Sequence, residues 1–338
     1  METLRVFEGF AGYGGASFAL NRVKESVKGF DFEVVGFSEF DKFADVIYKA
    51  NHGGVNYGDF TKIVPEDLPD FDLFTGGFPC QPFSSNGMQL GTDDPYGRGK
   101  MLGHIIRILR VMKPKYVLLE NVKGFLSAKF ADLRNQMISD LIDIGYGTNE
   151  NDTLASVLLN SKDYGVPQNR ERVWMFARMG GLPEGLSIRP EEARNDLRVK
   201  DMLDTDPDKK LYRSEKQVAR LKEKNGFDSL DVDQPYCVDL YNHKIKRDGF
   251  CITLKQPEHN DIRLVEPPRD GKEIVRKFSE YELFRLMGFR ISPDKTESEI
   301  DFAGLSYSQL AKRAGNGWDI NVVERLFKRL IETKAIEI

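Results

Sequence analysis

Cysteine is scarce. Three residues, Cys80, Cys237 and Cys251, are scattered through 338 positions. An odd, widely spaced set builds neither a disulfide framework nor a zinc cluster, and it points to a reducing compartment with no bound metal. No apolar run approaches the roughly 18 residues that a membrane span needs. The opening "METLRVFEGF" lacks the basic-then-apolar layout of a secretory leader, so a cytoplasmic protein without membrane contact is expected. The chain shows no internal repeat and no low-complexity segment. It also lacks the GxGxxG fingerprint, which disfavours a dinucleotide cofactor and with it a nucleotide-dependent oxidoreductase. A net charge of -4 supplies no overall basic excess. Nucleic-acid binding depends on where charge sits, and two local clusters stand out, "KKLYRSEKQVARLKEK" (209–224) and "YNHKIKRDG" (241–249). The plain reading of either cluster is solvated surface.

The composition is that of an ordinary globular protein, 40% hydrophobic and 30% charged. The length suits one large domain and one smaller one. The first half alternates short apolar runs with helical patterns. "LRVF", "FEVVGFSE", "FDLFTGG" and "KYVLLENV" are predicted strands. "GGASFALNRVKESV", "DKFADVIYKAN", "MLGHIIRILRVMKP" and "FADLRNQMISDLIDIGY" are predicted helices, the third stopped by Pro114 and the fourth closed by Gly145. Such alternation implies a sheet of parallel strands covered by helices, with ligands bound at the strands' carboxyl ends. The distinctive residues fall there: 10–15, Glu39, Cys80 and Glu120. After Arg178, Gly180, Gly181, Pro183, Gly185 and Pro190 mark a linker, and the strand–helix rhythm stops. Predicted domains are 1–184, 185–302 as a small domain, and a C-terminal helix, 303–338, returning to the first.

"FEGFAGYGGASFAL" places glycines between a strand and a helix. Gly12, Gly14 and Gly15 allow positive φ and close backbone approach, at a helix N-terminus that favours polar groups. Phe10 and Tyr13 add aromatic surface, which suits a flat base and a sulfonium better than a pyrophosphate. Glu39, at the next strand's end, is placed to accept from a ribose diol. Asp59 in "NYGDF", read as following a short strand, is placed to accept from an adenine amino group. The alternative is a tight turn with incidental carboxylates.

Cys80 lies in "GGFPCQPFS", between two prolines that bar helix and weaken strand. Most free cysteines are small buried hydrophobes, and Cys237 and Cys251 keep that reading. Cys80 instead sits in a stiff polar loop at a strand end, ahead of the Gly-rich "SSNGMQLGTDDPYGRGK". A rigid nucleophile followed by a lid is a catalytic layout. The thiol then needs neighbouring cations or amides to become a thiolate.

"FEGFAGYGG", "GGFPCQPFS", "ENV" (120–122) and "QNRER" (168–172) resemble, in order and spacing, the DNA cytosine-5 methyltransferases. "RKFSEYELFRLMGF" (276–289) and "AGNGWDINVV" (314–323) are similar to that family's late motifs, and only about 180–249 lies outside the resemblance. The fold it implies is α/β, a doubly wound mixed sheet of the Rossmann-like class I methyltransferase type. The small domain would then recognise the target. The implied cofactor is S-adenosyl-L-methionine, leaving as S-adenosyl-L-homocysteine. Phe40, Phe60, Pro79, Leu102 and Asn316 join Phe10, Gly12, Tyr13, Gly14, Gly15, Glu39 and Asp59 around it.

The implied chemistry is addition of the Cys80 thiolate to C6 of a cytosine, which makes C5 nucleophilic. Glu120 hydrogen-bonds N3 and the exocyclic amine, Asn121 orients the loop, and Arg172 grips O2. Arg170 supports the Cys80 loop or the DNA backbone. The base must leave the stack. The resemblance assigns Ser84, Ser85, Asn86, Arg98, Gln168 and Thr253 to the DNA, with the basic clusters as further contacts. Double-stranded DNA is the implied partner, with a cognate restriction endonuclease alongside, a monomeric enzyme and a nucleoid association. A tRNA cytosine-5 methyltransferase and a non-catalytic nucleic-acid binder of the same fold are the alternatives. Three departures stand out: Glu8-Gly9 for the usual Asp-Leu, Gly317-Trp318 for Ser-Val, and a longer lid at "DDPYGRG".

Overall fold

A computed structural model describes residues 3–79, 98–193, 196–228 and 232–337. They form two compact units. The first comprises Met1–Leu159, Glu171–Pro190 and Glu324–Ile338, the second Asn160–Arg170 and Glu191–Val323.

In the first unit β1 (Leu4–Gly9) leads through the glycine turn into α1 (Gly15–Ser26). Next come β2 (Phe32–Ser38), α2 (Lys42–His52), β3 (Leu73–Gly77), α3 (Arg98–Met112) and β4 (Tyr116–Val122). Then follow α4 (Ala131–Ile144), the short α5 (Glu150–Thr153) and β5 (Ala155–Asn160). The two-residue β6 (Gln168–Asn169) belongs to the second unit, and β7 (Glu171–Arg178) returns to the first. The Asp41 side chain caps α2 by accepting from the Phe43 and Ala44 amides, and α4 ends at Gly145 in the left-handed conformation, φ 111°. Sheet order is β2-β1-β3-β4-β7-β5, with β1, β2, β3 and β4 mutually parallel and β7 antiparallel to β4. The sheet is therefore mixed. Phe7, Phe74, Val117 and Leu119 pack with Ile105 and Leu109 of α3 and Met137 and Leu141 of α4. Each such side chain contributes about 1.5–3 kcal/mol by burial.

The second unit carries α6 (Glu215–Asn225), β8 (Tyr236–Asp239), β9 (Lys244–Lys246), β10 (Cys251–Ile252), β11 (Ile262–Arg269) and β12 (Lys272–Arg276). It continues with α7 (Glu280–Arg285) and α8 (Tyr307–Asn316). The chain re-enters the first unit at Glu324, within α9 (Ile320–Glu332). An antiparallel sheet, β12-β11-β8-β9, packs on a small core around Val218, Tyr236, Val265 and Val275, and β6 pairs with β10. Buried Arg276 binds both oxygens of Glu282, at 2.7 and 2.8 Å, and one of Glu266. The "RKFSEYELF" motif is thus a charged clasp that ties β12 and β11 to α7.

The expected boundaries differ from these units in three places, and in one of them residues 185–190 fall with the first unit. Residues 160–170 and 303–323 fall with the second unit, because their bonds run there: Gln168 and Arg170 reach Leu254, and Arg170 reaches Gly315 and Gly317.

Candidate active site

The glycine turn is built around φ. Phe10 (φ 55°), Gly12 (58°) and Gly14 (87°) all lie in the left-handed region. A Cβ on Gly14 would stand 2.5 Å from the His52 ring, whereas one on Gly12 meets nothing within 4 Å. Gly14 is therefore required by packing, and Gly12 borders open space. Glu39 spans the turn: one oxygen accepts from the Gly12 amide at 2.9 Å, the other from the Asp41 amide at 2.8 Å. Asn56 orients it, accepting from the Glu39 amide at 3.0 Å and donating to its carbonyl at 2.9 Å. Beside it Phe40 is 82% exposed, an isolated large aromatic. Phe10 packs on buried Phe60 at 4.3 Å between centroids, and Tyr13 is buried. An open glycine edge, a fixed carboxylate and two aromatic faces fit a nucleoside-bearing cofactor.

Asp59 is placed differently from expectation. No strand precedes it; Asn56 makes only an isolated bridge to Phe37, and Asp59 caps a short 3-10 turn, accepting from the Thr61 amide and hydroxyl. Those bonds, with Lys62 adding to them, hold its carboxyl below the ordinary range. Leu102 is buried in the α3 core and Pro79 is exposed. Asn316, exposed at the end of α8, belongs to the second unit.

The strand ends carry the second group. Gly77 at the end of β3 registers against Glu120 on β4. The next residue, Asn121, is 2% exposed; its amide donates to the Phe78 carbonyl at 3.2 Å, and its oxygen accepts from the Val122 amide at 2.9 Å. The backbone entering the Pro-Cys loop is thereby tied to the Glu-Asn-Val end of β4. Glu120 faces Arg172 of β7, Nε to Oε1 2.9 Å. The side chains of Arg172 and Glu120 are only 17% and 12% exposed, so the pair is strongly desolvated. Burial pulls the Arg172 guanidinium below its ordinary value, and Glu120 opposes the shift. Cys80, Ser84, Ser85 and Asn86 lie outside the described residues, as does the expected lid. Arg98 is the first residue of α3.

In the second unit the DNA roles expected for Arg170 and Gln168 are corrected, while the Cys80 loop that Arg170 was alternatively expected to support lies outside the described residues. Arg170, 3% exposed, donates to the carbonyls of Leu254 (2.8 Å), Gly315 (3.3 Å) and Gly317 (2.7 Å). A guanidinium so enclosed cannot meet a DNA phosphate. Gln168 is fully buried, donating to the Leu286 carbonyl at 2.5 Å and accepting from the Leu254 amide at 2.9 Å, so it reads no base. Thr253 donates to the Asn169 carbonyl beside β10. In the basic clusters Lys210, Lys222 and Lys246 are ion-paired, whereas Lys209, Lys216, Arg220, Lys224 and Lys244 are exposed.

Sequence reasoning missed the role of Glu8. Its carboxylate is 2% exposed and accepts from the Ser17 hydroxyl and, at 2.9 Å, from Tyr48. It also accepts from the Ala16 and Ser17 amides in the first turn of α1, so it caps that helix from the preceding strand. Burial raises it to about 7 against those hydrogen bonds. The Asp-to-Glu departure was its only signal. Asn56 carried no motif at all.

The fold is Rossmann-like, of the methyltransferase class. Over 98% of this chain and 99% of the other, it matches the crystal structure of the S. pombe Dnmt2 methyltransferase, with a TM-score of 0.70 at 22% identity. It matches the Entamoeba histolytica methyltransferase EhMeth with the same TM-score at 20% identity over 99% of each chain. Residues 4–332 match the family model for C-5 cytosine-specific DNA methylases, and the chain belongs to that family. Among curated relatives, the type II methyltransferase M.NlaX of Neisseria lactamica is 30% identical over 96% of each chain. The orphan methyltransferase M.SPBetaI of Bacillus phage SPbeta is 29% identical over 98% of each.

Proposed function

We propose that the protein methylates C5 of cytosine in double-stranded DNA, using S-adenosyl-L-methionine. The observation that carries this is the join at the strand ends: Glu120 beside Gly77, with Asn121 holding the Phe78 carbonyl two residues before Cys80. The bound cofactor supplies an electrophilic methyl on its sulfonium. The chain's residues do the rest. The Cys80 thiolate forms a bond to C6, and C5 becomes an enamine-like carbon. Glu120 accepts from the exocyclic amine and shares a proton with N3, which neutralises the charge that the addition drives into the ring. Arg172 positions Glu120, and among the described residues its Nη2 makes no hydrogen bond, which keeps a donor for O2. After transfer a water takes the C5 proton, the electrons of that C–H bond re-form the C5–C6 double bond, and the sulfur–C6 bond breaks, expelling the thiolate. Glu39 and Gly12 hold the nucleoside, with Phe40 against its base. The second unit is assigned to target recognition.

The test is methylation of duplex DNA against tRNA, with covalent trapping on 5-fluorocytosine DNA. Wild-type protein is expected to methylate the duplex and to form the adduct. Cys80→Ser should abolish both while retaining DNA binding, and Glu120→Gln should slow turnover by orders of magnitude. Transfer by Cys80→Ser refutes the covalent mechanism. A preference for tRNA reassigns the substrate, and a wild type that forms no adduct supports a binding protein.

A further inference from the structure

A pocket of about 90 Å³ opens in the second unit, lined in part by Lys255, Asp261, Arg263, Lys277 and Tyr307. That volume is room for several waters and too little for a nucleobase. Three features make its charge unusual. Antiparallel pairing matches Leu264 with Arg276, so continuing the register by one residue sets Arg263 opposite Lys277. Like charges facing each other across strands are destabilising. Arg263 is 7% exposed; its Nη1 serves Asp261 and the Ile262 carbonyl, while its Nε is buried with no partner. Lys277 has no carboxylate bound to it among the described residues and lies 5.2 Å from the centre of the Tyr307 ring. Burial, then Arg263 and Arg213, lower the Lys277 ammonium from its ordinary value. Burial pushes the Tyr307 hydroxyl up to about 12, so it remains a donor at neutral pH. Asp261 is the one carboxylate in the lining. A local surplus of cations, exposed at Lys255, half-buried at Lys277 and buried at Arg263, with an unused buried donor on Arg263, is complementary to a small anion.

We propose that this pocket binds a phosphate group, held by Arg263, Lys277 and Lys255 with Tyr307 as neutral donor. A backbone phosphate of the substrate duplex is the source expected if the methyltransferase reading holds; free phosphate is the other source of the same chemistry.

The experiment has two arms, each run on wild type, Lys277→Gln and Lys277→Arg. In the first, duplex affinity is measured across salt concentrations. Each lost phosphate contact lowers the log–log slope by about 0.9. Lys277→Gln should lose that much and Lys277→Arg should keep it. In the second, inorganic phosphate is compared with chloride at equal ionic strength. Phosphate should raise the wild-type and Lys277→Arg melting temperatures but not that of Lys277→Gln. In phosphate-free buffer Lys277→Gln should melt no lower than wild type, because it relieves repulsion; a purely structural lysine would behave oppositely. A charge-dependent response in the first arm identifies a backbone phosphate, and one in the second arm alone identifies free phosphate. If Lys277→Gln matches wild type in both arms, the proposal is overturned. Wild-type methylation is scored separately, so an inactive protein with a phosphate-responsive pocket separates failure of the functional reading from failure of this one.

Discussion

Glu8→Gln isolates one buried proton. The Glu8 carboxyl is carried from 4.5 to about 7 by burial at the foot of α1. The folded chain therefore holds the proton more tightly than the unfolded chain does. Between about pH 4.5 and 7 the unfolded state binds fewer protons, so stability falls as pH rises. The contribution is complete below the unfolded value and is lost as pH climbs through the folded one. At 1.36 kcal/mol per pH unit, full ionisation removes about 3 kcal/mol. Glutamine keeps a carbonyl acceptor for Ser17 and Tyr48 and does not titrate. Urea unfolding of both proteins at about pH 5 and about pH 8.5 measures the difference. Whatever their offset at acid pH, the variant should gain about 2.5 kcal/mol on the wild type across that range. Parallel pH dependences would show that Glu8 ionises freely, and the account of a desolvated cap would be wrong.

Gly14→Ala should cripple the first unit, since φ 87° already costs an L residue about 1–2 kcal/mol and the methyl meets His52 at 2.5 Å; a lowered melting temperature and lost cofactor binding check it. Asn121→Ala leaves the Phe78 carbonyl without its donor, an expected loss of about 1–3 kcal/mol. Turnover should fall more than cofactor affinity, because the thiol loop loses its anchor; steady-state kinetics separate the two. Arg276→Ala strands Glu282 and Glu266 in the second unit and should cost about 3–5 kcal/mol by chemical denaturation.

Four strands of the first unit, β1 to β4, were legible because each is a short apolar run closed by glycine or a polar residue, whereas β5 and β7 were not read from the sequence. The helices were legible because their apolar spacing ends at visible stops such as Pro114 and Gly145. The glycine motif was legible for a related reason: glycines that must turn leave marks in composition. The DNA roles given to Arg170 and Gln168 were misread because a side chain's type does not reveal its partner. Both are polar residues in a motif that looks catalytic, and both spend their hydrogen bonds on carbonyls or amides distant in sequence.

By itself the chain dictated its periodicities, its turns and the chemical types gathered at four strand ends, because those depend on neighbours within a few residues. The reversed β7, the Glu120–Arg172 pair, the buried proton on Glu8 and the cationic pocket of the second unit were decided only by folding. Each depends on which distant groups share a desolvated volume, and long-range contacts alone set that.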